Sequence, residues 1–267
     1  MELQPTEVRG HTIQVAVGGD GPPLLYLHSA AGESYVWLDV LNGLAAHHAV
    51  HAPLHPGFFG SEGVEDIHDI EDLVYHYLAF LDGRDWERVD VMGCSLGGWI
   101  ALEIAARYPE RVGRLVLAAS AGIRLPDVPM QDMFRLQLGQ EDQARALLFH
   151  DPSHPMARLV VPTFEGIDDE TLAAFVSAMA ATARVAWNPY LHDPRLEGLL
   201  GRVTAETLVV WGQDDRLIPP AYGERLAELI PNARLELVPE CGHLIWFERP
   251  AQLLEAALAH LGAAAPA

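Results

Sequence analysis

Residues 89–98 read Val-Asp-Val-Met-Gly-Cys-Ser-Leu-Gly-Gly, and no other stretch of the chain narrows its fold as much. An apolar, β-branched run enters Gly-x-Ser-x-Gly, and a helix-forming run from Trp99 to Tyr108 leaves it. The pattern predicts a strand, a sharp turn with Ser95 at its apex, and a helix. Only residues without a Cβ at Gly93 and Gly97 let strand and helix come so close. The turn lifts the Ser95 hydroxyl clear of the sheet. It also aims the Leu96 N–H, at a helix N-terminus, toward the place where negative charge would develop in an attack by that hydroxyl.

A nucleophilic serine needs a base, and the base needs an orienting acid. Leu208–Trp211 reads as a buried strand and runs into Gly212-Gln213-Asp214-Asp215-Arg216-Leu217-Ile218-Pro219. The next strand, Leu235–Val238, is followed by Glu240-Cys241-Gly242-His243, then Glu248-Arg249-Pro250. Two aspartates therefore compete for the acid at one strand end, and His243 stands after the next. Strands recur at Thr12–Val17, which alternates like an edge strand, and at Leu24–His28, Ala49–Pro53 and Leu115–Ala119. Helical spacing marks Ile67–Leu81, Ala221–Ile230 and Ala251–Leu261. This alternation predicts an α/β fold with a parallel sheet and helices on both faces.

With its chain order Ser, Asp, His, the sequence resembles the α/β-hydrolase fold family from about Thr12 to Leu261. The matching pieces are Gly93 to Gly98, Trp211 to Pro219, Gly242-His243 with Glu248 and Pro250, and Leu27-His28 before a small-residue loop. The resemblance implies a triad of Ser95, His243 and Asp215, since the family's acid stands three residues after the glycine. Asp214 would then be a solvated loop residue or an ion-pair partner of Arg216. It implies a second oxyanion-hole N–H from the loop after His28. Ser29 occupies the family's usual glycine position, so Ala30 would be the donor beside Leu96, with the Ser29 N–H as fallback. His28 is expected to be structural. His55-Pro56-Gly57-Phe58-Phe59-Gly60-Ser61 resembles a family loop that buttresses the elbow, and Phe58 and Phe59 are expected to pack there.

Between Ile123 and Val203 the strand alternation stops. Helical stretches are expected around Gln131–Phe149 and Asp169–Ala186, with many apolar residues, among them Met130, Met133, Phe134, Phe164, Phe175, Met179, Trp187 and Tyr190. We read residues 1–123 and 204–267 as the hydrolase core and 124–203 as an inserted helical cap, which the resemblance also implies. Such a cap would close over the serine and shape its pocket. The Ala-rich end after Gly262 is expected to be a frayed tail.

Composition excludes several alternatives. The 267 residues can bury a large core. Net charge is −20, and all 17 basic residues are arginine. Such a surface repels phosphate backbones and anionic lipid, so neither nucleic acid nor membrane is an expected partner. Without lysine there is no Schiff-base or Ser–Lys chemistry. With neither a basic–apolar leader nor an apolar run of about 18 residues, a cytoplasmic protein is expected. Cys94 and Cys241 read as small buried residues, placed so that they could be neighbours beneath the site. Among the 13 histidines, His47, His48, His51 and His55 are densest. Pro53 and Pro56 forbid a helix there, and strand geometry would set i, i+4 residues about 13 Å apart, so no metal is expected.

The expected function is a cofactor-free serine carboxylesterase acting on small or medium esters through an acyl-enzyme on Ser95, as a monomer or homodimer. One alternative is a carbon–carbon hydrolase of vinylogous diketones, whose substrate carboxylate would be held by Arg124, Arg135, Arg184 or Arg216. The other is a ligand-binding receptor that kept the fold without catalysis.

Overall fold

The computed structural model describes residues 1–135, 139–163, 165 and 167–262. Phe164 and the Ala-rich end after Gly262 lie outside them. The chain opens with β1 (Glu2–Val8), β2 (His11–Gly18) and β3 (Pro23–Leu27), followed by α1 (Asp39–Ala45), β4 (Ala49–Pro53) and α2 (Ile70–Asp82). Next come β5 (Val89–Cys94), α3 (Leu96–Arg107) and β6 (Val112–Ala118). Three helices then run without a described strand: α4 (Glu141–Leu148), α5 (Pro155–Val160) and α6 (Asp169–Ala186). The chain re-enters the sheet as β7 (Glu206–Gly212) and closes with α7 (Ala221–Leu229), β8 (Ala233–Val238), α8 (Ile245–Glu248) and α9 (Pro250–Leu261).

The eight strands form one sheet in the order β1-β2-β4-β3-β5-β6-β7-β8. From β4 to β8 all neighbours are parallel, and β2 alone runs against the other strands, pairing antiparallel with both β1 and β4. Parallel strands with helices on both faces should be buried on both sides, and β3 and β7 are nearly so along their length. β5 lies between β3 and β6, so Ser95 emerges from the middle of the sheet at its C-terminal edge.

Three expectations change. The edge strand is β1, with β2 inside it, paired to both β1 and β4. Pro5 lies within β1, where the outer side of an edge strand asks for no ladder N–H. Gln131–Phe149 is not one described helix. It holds a 3₁₀ turn at Met133–Arg135 and then α4, and Gly139 between them has φ +86°, outside helical space. Residues 136–138 lie outside the described set. The third change is in α2, which starts three residues late because Asp69 caps it, accepting hydrogen bonds from the N–H groups of Glu71 and Asp72.

Among the described residues no helix is long and apolar enough to cross a membrane.

Candidate active site

The turn between β5 and α3 has the geometry that its glycines imply. Ser95 sits at φ +49°, ψ −110°. A Cβ on Gly93 would lie 2.4 Å from the Gly97 carbonyl oxygen, and one on Gly97 would lie 2.0 Å from that of Leu27. Both are closer than any Cβ tolerates. The strained serine is held by its own backbone: its N–H donates to the Ala118 carbonyl (2.9 Å), and its carbonyl accepts from Trp99 (3.0 Å) and Ala121 (3.2 Å).

Two loops at the same sheet edge bring partners to the hydroxyl. After β8, His243 puts Nε2 2.9 Å from Ser95 Oγ and Nδ1 2.8 Å from Asp215 Oδ2. Asp215, in the loop after β7, turns its other oxygen to the N–H groups of Leu217 and Ile218, each at 2.9 Å. All three side chains are buried. A carboxylate tied down by two main-chain donors holds one rotamer, and so holds the ring. Asp214 points away, half exposed, and faces the ring of His150 (Oδ2···Nδ1 3.0 Å). The expected Asp214–Arg216 pair does not form. Arg216 reaches instead to the carbonyls of Ala146 (2.8 Å) and Phe149 (3.1 Å), at the end of α4.

On the other side of Ser95 the loop after β3 contributes Ser29, Ala30 and Ala31 to the wall. The Ser29 N–H is unavailable as an oxyanion donor, because it is bound to Glu33 Oε1 at 2.8 Å. Leu96 opens α3, where the first N–H groups have no intrahelical acceptor. A carbonyl carbon in contact with Ser95 Oγ would thus lie between two elements whose N–H groups come from Leu96 and Ala30.

The histidines are mainly structural. His28 Nε2 accepts from the His55 N–H (2.9 Å), and His55 bonds the Tyr77 hydroxyl through Nδ1 and the His28 carbonyl through Nε2 (2.8 Å). His51 packs edge-on against Trp86. Among the described residues no group of three or more His, Cys, Asp or Glu converges on a point that could hold a metal. Burial lowers His28 to about 4 and His76 to about 3, and burial with the neighbouring His28 lowers His55 well below the usual histidine range. These rings stay neutral in the fold, whereas the unfolded chain protonates them near pH 6.5. The unfolded chain therefore binds more protons below about pH 6.5, and stability falls as pH drops from there toward 4. Each ring adds a slope of about 1.4 kcal/mol per pH unit. Urea unfolding across that window is expected to show a midpoint that falls steeply with acid. A midpoint unchanged between pH 6.5 and 4 would mean the fold accepts these rings as cations.

Phe58 is buried in a small cluster with Leu54, Ala178 and Ala181, and Phe59 stacks on Tyr35 (4.5 Å between ring centroids). Each cysteine has its own surroundings. Cys94 Sγ lies 3.3 Å from the Tyr26 hydroxyl, and Cys241 Sγ lies 3.6 Å from the Gly242 carbonyl. Burial raises both thiols far above their ordinary range, so neither is a nucleophile at neutral pH.

A cavity of about 360 Å³ opens over Ser95 and His243. Its roof comes from the helical insertion: Met133, Phe134, Leu147, Leu148, Phe175 and Met179. Gln140 and Glu141 supply the insertion's polar wall. No arginine is among the described residues that line it. Of the four candidate arginines, Arg135 pairs with Asp132 (3.0 Å), Arg184 donates to the Ile67 carbonyl (3.1 Å) and Arg216 is bound as described. Arg124 stands outside the cavity wall.

Sequence reasoning assigned no role to two buried carboxyl groups beside the site, Glu33 and Glu248. Glu248 accepts from the N–H groups of Gly242 (2.7 Å), His150 (3.1 Å) and Asp151 (2.8 Å). It joins the loop that carries His243 to the chain leaving α4. The Leu148 carbonyl adds to that joint by accepting from His243 (2.9 Å) and Leu244 (3.3 Å). Glu248 stood within a matching motif, whereas Glu33 carried no pattern beyond being an acid in a small-residue loop.

Comparison with known proteins agrees with this fold. The family description "alpha/beta hydrolase fold" matches residues 22–250. The chain is 30% identical over 251 residues to a 2-hydroxy-6-oxo-2,4-heptadienoate hydrolase of Pseudomonas putida, covering 86% of each chain. It is 29% identical over 258 residues to a pimeloyl-[acyl-carrier protein] methyl ester esterase of Nitrosomonas europaea, covering 91% of this chain and 97% of that one. Among solved structures, a meta-cleavage product hydrolase of Pseudomonas fluorescens superposes with a TM-score of 0.79 at 23% identity, over 97% of both chains.

Proposed function

The chain belongs to the alpha/beta hydrolase fold family, and from that premise we propose that it is a serine hydrolase cleaving uncharged, largely apolar carboxylic esters. The observation that carries the ester reading is the wall of the cavity. It offers apolar side chains, a glutamine and a glutamate, and no cation among the described residues. An ester with a small or medium acyl group fits such a site, and a volume of 360 Å³ lies within the range of small-molecule sites.

The reaction follows from the contacts. Ser95 Oγ attacks the ester carbonyl and passes its proton to His243 Nε2, while Asp215 holds Nδ1–H and steadies the imidazolium. The oxyanion takes hydrogen bonds from the N–H groups of Leu96 and Ala30. Collapse of the tetrahedral adduct breaks the bond to the alcohol, which leaves with the proton from His243. Water then attacks the acyl-enzyme, giving its proton to the same ring, and collapse of the second adduct breaks the bond to Ser95 Oγ, which takes that proton back as the acid leaves. Residues 124–203 act as a cap that selects the acyl group.

The second reading is carbon–carbon hydrolysis, favoured by the Pseudomonas putida relative. A dienoate brings a carboxylate, and burying that charge against Glu141 and apolar neighbours without a cation is costly. The two readings separate in one experiment with p-nitrophenyl esters of graded chain length and a 2-hydroxy-6-oxodienoate. Ester kcat/KM is expected to exceed the dienoate value by about 10²-fold or more, the scale of a mismatched polar group in an apolar pocket. Faster turnover of the dienoate would overturn the ester reading.

A further inference from the structure

The loop that presents Ala30 is held by a carboxyl group that no step of the reaction uses. Glu33 begins a short 3₁₀ turn, Glu33–Tyr35, and is 1% exposed. Its Oε1 accepts from the Ser29 N–H (2.8 Å) and from the Tyr26 hydroxyl (3.1 Å), and its Oε2 accepts from the Ser29 hydroxyl (2.6 Å). Ser29 Oγ in turn accepts from the Ala31 N–H (3.0 Å), and the Ser29 carbonyl accepts from the Gly32 N–H (3.1 Å). The N–H groups on either side of Ala30 are thus spent inside the loop.

We propose that Glu33 is a positioning residue of the oxyanion hole, which turns the Ser29–Ala30 segment so that the Ala30 N–H, and not that of Ser29, faces the carbonyl under attack. The inference rests on the acyl-transfer reading above. The same carboxyl also sets the spacing between the two donors. The Tyr26 hydroxyl has one proton and gives it to Glu33, so it accepts from the Cys94 thiol at 3.3 Å. Cys94 immediately precedes the nucleophile, and Ser29 immediately precedes Ala30. Tyr26, at the heart of β3, therefore ties the elbow and the loop to one point. Oxyanion donors act through preorganisation, since a donor displaced before reaction must be reoriented during it. Three donors hold the Glu33 carboxyl in place against a burial that favours its neutral form.

The test is Glu33→Gln, which keeps the volume and leaves a carbonyl where the Ser29 N–H and Tyr26 hydroxyl converge, but puts an NH₂ group against the Ser29 hydroxyl, which can then no longer donate there and loses its hold on the loop. On a p-nitrophenyl ester, kcat is expected to fall by about 10²-fold, the scale of losing one oxyanion donor. KM is expected to stay within about twofold, because the interaction belongs to the transition state. An alkyl boronic acid, which forms a tetrahedral adduct on Ser95, should lose affinity in parallel with kcat. A merely structural role would instead lower the melting temperature and leave these ratios intact. Unchanged kcat and boronate affinity in Glu33→Gln, with active wild type, would overturn the inference alone. Wild type inert toward every ester would sink the ester reading, and this role with it. Where Glu33→Gln does not fold, Ser29→Ala decides, since it removes one of the two ties. A fall in kcat at constant KM supports the inference, and an unchanged kcat overturns it.

Discussion

Ser95→Ala is expected to lower kcat by about 10⁶-fold, the scale of removing the nucleophile from a serine triad, while leaving the fold intact. The geometry separates the two effects. The backbone hydrogen bonds of Ser95 run to Ala118, Trp99 and Ala121, and alanine keeps all of them. The side chain gives up only its bond to His243, so the change in stability should stay within about 1 kcal/mol. Residual turnover of about 10³–10⁴ over water is expected from the oxyanion donors alone. An alkyl fluorophosphonate should add one label to the wild type and none to the variant, read by intact-mass spectrometry. Full activity in the variant, or a label elsewhere, would remove Ser95 from the reaction.

The next largest effect is expected from Asp215→Asn, about 10⁴-fold in kcat. The cause lies in the two N–H groups of Leu217 and Ile218. They hold one oxygen of Asp215, so an asparagine must keep its carbonyl there and turn its NH₂ toward His243. His243 Nδ1 then has to accept, which moves the ring proton to Nε2, the atom that should receive the proton of Ser95. Asp214→Asn removes only a half-exposed contact with His150, worth at most about 1 kcal/mol. Steady-state kinetics on both variants decide the matter. If Asp214→Asn were the crippling change, the acid would be the other residue.

These two aspartates mark the limit of what the sequence discloses. The strand–serine–helix turn is legible because its cause is local: two glycines must pass within a Cβ radius of neighbouring backbone. The sheet is legible for a similar reason, since buried parallel strands are short apolar runs. Asp214 and Asp215 differ in nothing local. What separates them is a pair of main-chain donors two and three residues on, which only the folded loop presents. Glu248 reaches the His150 N–H from 98 residues away, and periodicity carries no trace of such a bond. β1 escaped notice because Pro5 argues against a strand until the strand is known to be at an edge. Gly139 was an ordinary residue in a helical run until its φ of +86° interrupted that run.

The joint at residues 146–151 divides the helical insertion into parts with different evolutionary freedom. Arg216, Glu248 and the amides of His243 and Leu244 all bind main-chain atoms there, so the segment is tied to the acid loop and the histidine loop together. Its own side chains can drift, because the bonds are to carbonyls and N–H groups, but its length cannot. One residue inserted or deleted between Ala146 and Asp151 would shift every one of these partners in register. Met133, Phe134, Phe175 and Met179 stand outside the joint and line the cavity. Substitution along those positions is therefore expected to change which substrate is accepted while the contacts among Ser95, His243 and Asp215 stay in place.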